Sequence, residues 1–283
     1  MRIISALSEL KDVILSYRKN SQTIGFVPTM GALHKGHIAL IGNSTEQNEV
    51  TVVSIFVNPL QFNNASDLAL YPRVVEEDIE LLKTYKVDVV FIPEEDEFYP
   101  EKPSISVDFG ELANRLEGKF RQGHFEGVGV VVSKLLHLTN PDRAYFGLKD
   151  LQQFLLIKRM CQELNFPCEV VGVETVREES GLALSSRNRR LTENGQKVAS
   201  TIFKGLQSIQ LGIEEGKSLN KLLQETEKRY QGEEGFDLEY LEAVDTKELL
   251  PVNNYSSLHE LAICVAGYVE GVRLIDNLYL RLK

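Results

Sequence analysis

Cysteine is scarce in this chain of 283 residues: only Cys161, Cys168 and Cys264 occur. They form neither a CxxC pair nor a disulfide framework, and they read as reduced, mostly buried thiols with no catalytic cysteine among them. Long apolar runs are missing too. No segment approaches the ~18 apolar residues that span a bilayer. Glu9, Lys11 and Asp12 interrupt the amino terminus where a signal peptide needs an apolar stretch. The expectation is a cytoplasmic protein without membrane contacts. Positive charge is in deficit: 31 Lys and Arg against 41 Asp and Glu leave a formal net charge of −10. A binder of nucleic-acid backbones needs a basic face, so that function class is disfavoured, while a local site for a small phosphorylated ligand stays open.

Apolar residues are present in alternating blocks. Short β-branched runs at Thr23–Val27, Val50–Val57, Val87–Ile92, Arg143–Phe146 and Glu169–Val173 predict strands. Amphipathic stretches at His37–Gln47, Val74–Tyr85, Gly129–Leu138 and Asp150–Leu164 predict the helices between them. Near-continuous apolar strands separated by helices predict a doubly wound α/β domain, with a parallel sheet covered on both faces and a ligand at the carboxyl ends of the strands. The pattern changes after about Val176. Thr192 is placed to cap a long helix running to Glu215, a second helix follows over Ser218–Tyr230, and three β-rich runs close the chain at Leu238–Val244, Leu261–Tyr268 and Val272–Leu280. The predicted organisation is a Rossmann-like domain over 1–175 and a smaller α+β domain over 176–283, with Arg177–Arg190 as a functional connection between them.

Four clusters carry chemistry. In the first, Phe26 to His37, an apolar strand ends at Pro28, Gly31 makes a turn, and a helix opens near His34. That geometry aims backbone N–H groups and the positive helix end at one point, which suits an anion. His34 and His37 share one face of the first turn, and Gly36 between them lets a ligand approach the backbone closely. The same pair could instead ligate zinc, or be ordinary polar residues at a helix start. The second cluster, Phe146 to Gln153, again follows a short strand and opens a helix, and Lys149 supplies a point charge for a phosphate, or forms a solvated pair with Asp150 at a helix start. The third, Leu184-Ser185-Ser186-Arg187-Asn188, offers two hydroxyls and a guanidinium suited to phosphates, or is plain loop. In the fourth, Asn58 and Gln61 project amides from the end of the second predicted strand, where they can read a hydroxy acid, although Asn58-Pro59 also reads as a turn.

Ordered segments spread from end to end then carry a resemblance: PTMGALHKGH at 28–37, SIFVNPLQF at 54–62, YPR at 71–73, LEG at 116–118, GHF at 123–125, FGLKDLQQ at 146–153, LALSSRN at 182–188 and RLIDN at 273–277. Together they resemble the pantothenate synthetase family, the pantoate–β-alanine ligases of the wider HxGH nucleotidylyltransferase superfamily. Two departures stand out: Leu148 replaces an acidic or amide residue, and Gln122 replaces a proline. The resemblance implies an AMP-forming ligase that activates pantoate with Mg-ATP as an acyl-adenylate and transfers it to β-alanine. It implies ATP contacts from Met30, Gly31, Ala32, Leu33, His34, Lys35, Gly36 and His37, from Gly147 to Asp150, from Val176, and from Leu184 to Arg187. His37 is the implied proton donor with His34 beside it, Lys149 faces a phosphate, and Gln61 and Gln153 hold pantoate, with Asn58 nearby. Gln61 is also implied to meet β-alanine. The smaller domain is expected to close over the site. Mg²⁺ ligands stay open, with Asp78 and Asp150 as candidates. A homodimer is expected, with Ile55–Val57 and the loop after it contributing to the interface. A nucleotidylyltransferase and a non-catalytic nucleotide sensor are the rival readings.

Overall fold

The computed structural model describes residues 1–282. The chain forms two compact units: Met1–Gly147 with Gln152–Val173, and Leu148–Leu151 with the chain from Glu174 onward. The segment Arg177–Arg190, read from sequence as a connection, thus belongs to the second unit. Arg177 anchors it there through a two-pronged ion pair to the buried Asp276.

The first unit holds a six-stranded parallel sheet built from β1 (Arg2–Ile4), β2 (Ile24–Thr29), β3 (Val50–Ile55), β4 (Val89–Phe91), β5 (Arg143–Gly147) and β6 (Glu169–Val173), in the order β1-β4-β3-β2-β5-β6. Every residue of β3 is buried, as a strand covered on both faces requires. Val27, Val53, Val90 and Tyr145 pack one core with Leu40, Ile41 and Leu82 from the covering helices. The edge strand β1 and the helix Leu7–Lys19 were not assigned from sequence. β1 is three residues long and largely exposed, so it carries no readable alternation. Ile55 and Phe56 lie in the interior, Phe56 stacking at 4.4 Å on Phe98. These two side chains therefore belong to the unit's own core, which corrects their expected place in a subunit interface.

A proline governs how the central strands part. β2 pairs with β3 as far as Thr29↔Ile55, but its ladder with β5 ends at Phe26↔Ala144 although both strands continue. Pro28 has no N–H to offer a ladder. Strand order also reverses at this pair, since β3 and β4 lie to one side of β2 and β5 and β6 to the other. Such a switch point is where doubly wound sheets bind ligands, beyond the carboxyl ends of the strands.

The second unit is a three-stranded antiparallel sheet, β7 (Phe236–Asp245), β8 (Glu260–Val269) and β9 (Val272–Arg281), with the helices Glu193–Glu214 and Leu219–Gln231. Thr192 caps the long helix, its Oγ accepting from the N–H of Gly195 at 3.0 Å. Glu270 and Gly271, both at positive φ, make the two-residue turn between β8 and β9. Leu206, Ile209 and Tyr230 of the helices pack against Ile263, Val265 and Leu274 of the sheet. No helix among the described residues is long and apolar enough to cross a membrane.

Candidate active site

The chain leaves β2 through a strained turn. Gly31 has φ +80°, and a Cβ there would stand 2.9 Å from an Asp78 carboxylate oxygen, so only glycine fits without displacement. Ala32 follows at φ +49°, an unfavourable region for a residue with a side chain. The opposing force comes from Asp78, which is 2% exposed. Its two oxygens accept the N–H groups of Ala32 at 2.8 Å and Leu33 at 2.7 Å. The left-handed conformation costs roughly 1–2 kcal/mol, whereas a hydrogen bond to a charged acceptor contributes about 1.5–3 kcal/mol. Two such bonds outweigh the strain. Asp78, weighed from sequence as a magnesium ligand, clamps this turn, each of its oxygens accepting a backbone N–H.

Held this way, the chain enters the helix Lys35–Gln47 with His34 as its N-cap. His34 Nδ1 accepts the N–H of Gly36 at 3.1 Å, and His37 Nδ1 accepts the N–H of His34 at 3.3 Å. The two side chains form a reciprocal capping box, with ring centroids 4.1 Å apart. An Nδ1 that accepts cannot carry a proton, so each imidazole keeps its proton on Nε2 and presents Nε2–H as its donor. The pair thus stands at the positive end of a helix, a setting suited to an anion. Lys35 is exposed. The zinc alternative is not supported, since no group of three or more His, Cys, Asp or Glu assembles among the described residues.

The turn after β3 supplies the amides. Gln61 is 8% exposed, its Oε1 accepting from Asn58 Nδ2 at 3.0 Å and its Nε2 donating to Met30 Sδ at 3.2 Å. Those partners set which end of the amide faces which way. Asn58 also donates to the carbonyl of Gly127 at 3.1 Å, while its Oδ1 accepts from the N–H of Leu60 and from the Tyr99 hydroxyl. Two donors and two acceptor positions exhaust its capacity. Asn58, a substrate-binding candidate from sequence, is therefore committed to orienting Gln61. His124 adds a bond of 2.8 Å to the Gln61 carbonyl. The helix His124–Thr139 reaches this turn because Gly127 has no side chain: a Cβ would sit 2.3 Å from the Leu60 carbonyl oxygen.

Gln152 and Gln153 have opposite fates on the helix Leu151–Glu163. Gln152 is buried and saturated, accepting from the N–H of Glu117 and donating to the carbonyls of Leu112 and Arg115. The Gln153 side chain is half-buried and has no hydrogen-bond partner among the described residues. Burial pushes the Cys161 thiol up to about 11 and the Cys168 thiol up to about 12, so neither is a thiolate near neutral pH.

In the second unit, Leu148–Asp150 forms a single 3₁₀ turn whose Lys149 Nζ lies 3.9 Å from Asp150. Val176 and Leu184 face each other across a short hairpin, the Leu184 N–H donating to the Val176 carbonyl at 3.0 Å. Ser185 follows, its Oγ accepting from the N–H of Arg187 at 3.3 Å, and Ser186 is buried. The structure thus gathers the expected residues into two sets: Met30 to His37 with Gln61 and Asn58 in the first unit, and Lys149 to Asp150 and Val176 with Leu184 to Arg187 in the second. Gly147 ends β5, and Leu148 begins the next turn. Asn277, passed over in the RLIDN motif, joins the second set by donating to the carbonyls of Leu148 and Lys149.

A doubly wound parallel sheet with a histidine-capped helix at its switch point defines an α/β protein with an HxGH helix start. A family model described as pantoate-beta-alanine ligase matches residues 2–279. The chain belongs to the pantoate–β-alanine ligase family. It is 45% identical to the pantothenate synthetase of Cytophaga hutchinsonii over 280 residues, 99% of both chains. The crystal structure of pantothenate synthetase from Thermus thermophilus superposes with a TM-score of 0.93 at 42% identity, over 98% of this chain and 99% of that one. A pantoate-beta-alanine ligase from Francisella tularensis, solved with beta-gamma ATP and beta-alanine, gives a TM-score of 0.82 at 38% identity, over 98% and 97%.

The clamp is testable. Asp78→Asn keeps the shape but turns an amide NH₂ toward one of the two N–H groups, so a buried donor loses its acceptor. The expected loss is about 1–3 kcal/mol of stability, read as a lower urea midpoint at unchanged m-value. An unshifted midpoint would show that the turn holds its strained shape without the carboxylate.

Proposed function

We propose that this chain joins pantoate to β-alanine in two half-reactions, with ATP as co-substrate and pantothenate, AMP and pyrophosphate as products. In the first, a pantoate carboxylate oxygen attacks the α-phosphorus of ATP. The bond from that phosphorus to the bridging oxygen breaks, and pyrophosphate leaves. In the second, the β-alanine amine attacks the acyl carbon of pantoyl adenylate, the bond to the phosphate oxygen breaks, AMP departs and the amine gives up a proton. The observation that carries this reading is the His34–His37 capping box, two oriented Nε2–H donors at a helix start beyond the gap between β2 and β5.

Phosphoryl transfer of this kind depends on positioning and charge neutralisation more than on a protein nucleophile. His37, with His34 beside it, is assigned to the charge that grows at the α-phosphate. Family resemblance assigns Lys149, Ser185, Ser186 and Arg187 to the nucleotide phosphates, together with backbone from Met30–Lys35, Gly147–Asp150, Val176 and Leu184. Gln61 and Gln153 are assigned to pantoate, because a neutral amide pairs with its hydroxyls without repelling its carboxylate. Gln61 is also assigned to β-alanine. Magnesium would enter with the substrate as Mg-ATP, since Mg²⁺ is ordinarily bound by one or two carboxylates plus substrate phosphates rather than an all-protein cage. Three free thiols fit a cytoplasmic setting.

His37→Ala is expected to lower single-turnover pyrophosphate release by about a hundred- to a thousand-fold, the usual effect of losing one preorganised donor. Release near the wild-type rate would overturn the assignment. Gln153→Leu sets hydrocarbon against a substrate hydroxyl. An unpaired buried polar group costs about 1–3 kcal/mol, so titration should show pantoate affinity down roughly ten- to hundred-fold with ATP affinity unchanged. Unaltered pantoate binding would place the pantoate pocket elsewhere. The proposed homodimer is checked by light scattering at assay concentration, where a mass near the single-chain 31.9 kDa would refute it.

A further inference from the structure

Lys149 sits on a single 3₁₀ turn that leads directly into the helix Leu151–Glu163, and two of the turn's carbonyls, those of Leu148 and Lys149, are also held from outside it. Those carbonyls are taken up from a strand far along the chain. Asn277, 6% exposed on β9, points its Nδ2 at two consecutive carbonyl oxygens, those of Leu148 and Lys149, each at 2.8 Å. One amide nitrogen has two hydrogens, and both are used on this turn.

Asn277 is itself held from behind. Its backbone N–H donates to Asp276 Oδ1 at 2.8 Å, and its carbonyl accepts from Arg177 Nη2 at 3.4 Å. Asp276, 4% exposed, receives the Arg177 guanidinium in a fork, Nη1 to Oδ2 at 2.6 Å and Nη2 to Oδ1 at 2.9 Å. The same guanidinium lies 3.7 Å over the Phe203 ring and donates to the Gly181 carbonyl at 3.2 Å. Arg177 stands on the hairpin that is bridged at Arg177↔Ala183 and continues into Ser185–Arg187. A single buried network therefore grips the backbone of the Lys149 turn and the base of the Ser185–Arg187 segment. A fork–fork pair resists rotation about either side chain, which a lysine or a single hydrogen bond would not.

We propose that Asn277, braced by the Arg177–Asp276 pair, is a positioning residue for adenylate formation that fixes Lys149 relative to the reacting phosphates. The proposal rests on the nucleotide-site reading above. Loss of the two bonds lets the turn drift, and a displacement of about 1 Å can cost up to a hundred-fold in rate.

The test is a double-mutant cycle on single-turnover pyrophosphate release, using wild type, Lys149→Ala, Asn277→Ala and the double variant at saturating ATP and pantoate. A thermal melt on each reports whether it folds, and Asn277→Ser replaces Asn277→Ala in the cycle if the alanine variant does not. Asn277→Ala is expected to slow release by about ten- to a hundred-fold, while aminolysis of enzyme-bound pantoyl adenylate by β-alanine stays near the wild-type rate. In the double variant the two losses should not multiply, because Asn277 acts through Lys149. Fully multiplicative losses, or an Asn277 variant with wild-type release, would overturn the proposal. A wild-type rate in Lys149→Ala would sink the nucleotide-site reading itself, and the proposal with it.

Discussion

The contact on which the first unit's site depends is the pair of hydrogen bonds from Ala32 and Leu33 to the buried Asp78. Without them the turn after β2 would have to relieve an alanine in the left-handed region and would leave two backbone donors unpaired in the interior. With them the chain emerges at one angle, and His34 can serve as the N-cap. The capping box, the choice of tautomer and the direction of both Nε2–H donors follow from that placement. A buried carboxylate beneath the proposed anion site looks paradoxical, but its charge is spread over two N–H dipoles and fixes where the next donors stand.

The same logic recurs around Gln61. Asn58 uses every donor and acceptor it has on protein partners, and it thereby removes the rotational freedom of the neighbouring amide. Gly127 allows a helix to close on that turn, and His124 fastens the turn's carbonyl. Residues that look like ligand contacts are thus divided into those that present a group and those that hold it still. Precise geometry at a reacting centre needs both. The Gln152 amide, committed to Glu117, Leu112 and Arg115, belongs to the holding kind.

In the second unit the corresponding rigidity comes from charge. Arg177 and Asp276 are both largely removed from water, an arrangement that is tolerable only with near-ideal pairing and with the remaining donors satisfied. The fork, the ring beneath it and the Gly181 carbonyl meet that condition. The cost of burying the pair is set against the definition it gives to a hairpin that would otherwise be an exposed loop.

What the sequence determined by itself were features written in short-range chemistry. The apolar runs of β2, β3 and β5, the Thr192 cap, the two terminal-domain helices and the three closing strands could be read because each depends on neighbours a few residues away. The HxGH turn was readable for the same reason, and its end-to-end companions showed the family. Tertiary structure alone decided which polar residues remain available to a ligand. Asp78 meets Ala32 across 46 positions, Asn58 meets Gly127 across 69, and Asn277 meets Leu148 across 129. A residue name lists its donors and acceptors but not their occupants, so Asp78 read as a possible metal ligand and Asn58 as a substrate contact. Folding fills those positions first, and only what remains unpaired is free to do chemistry.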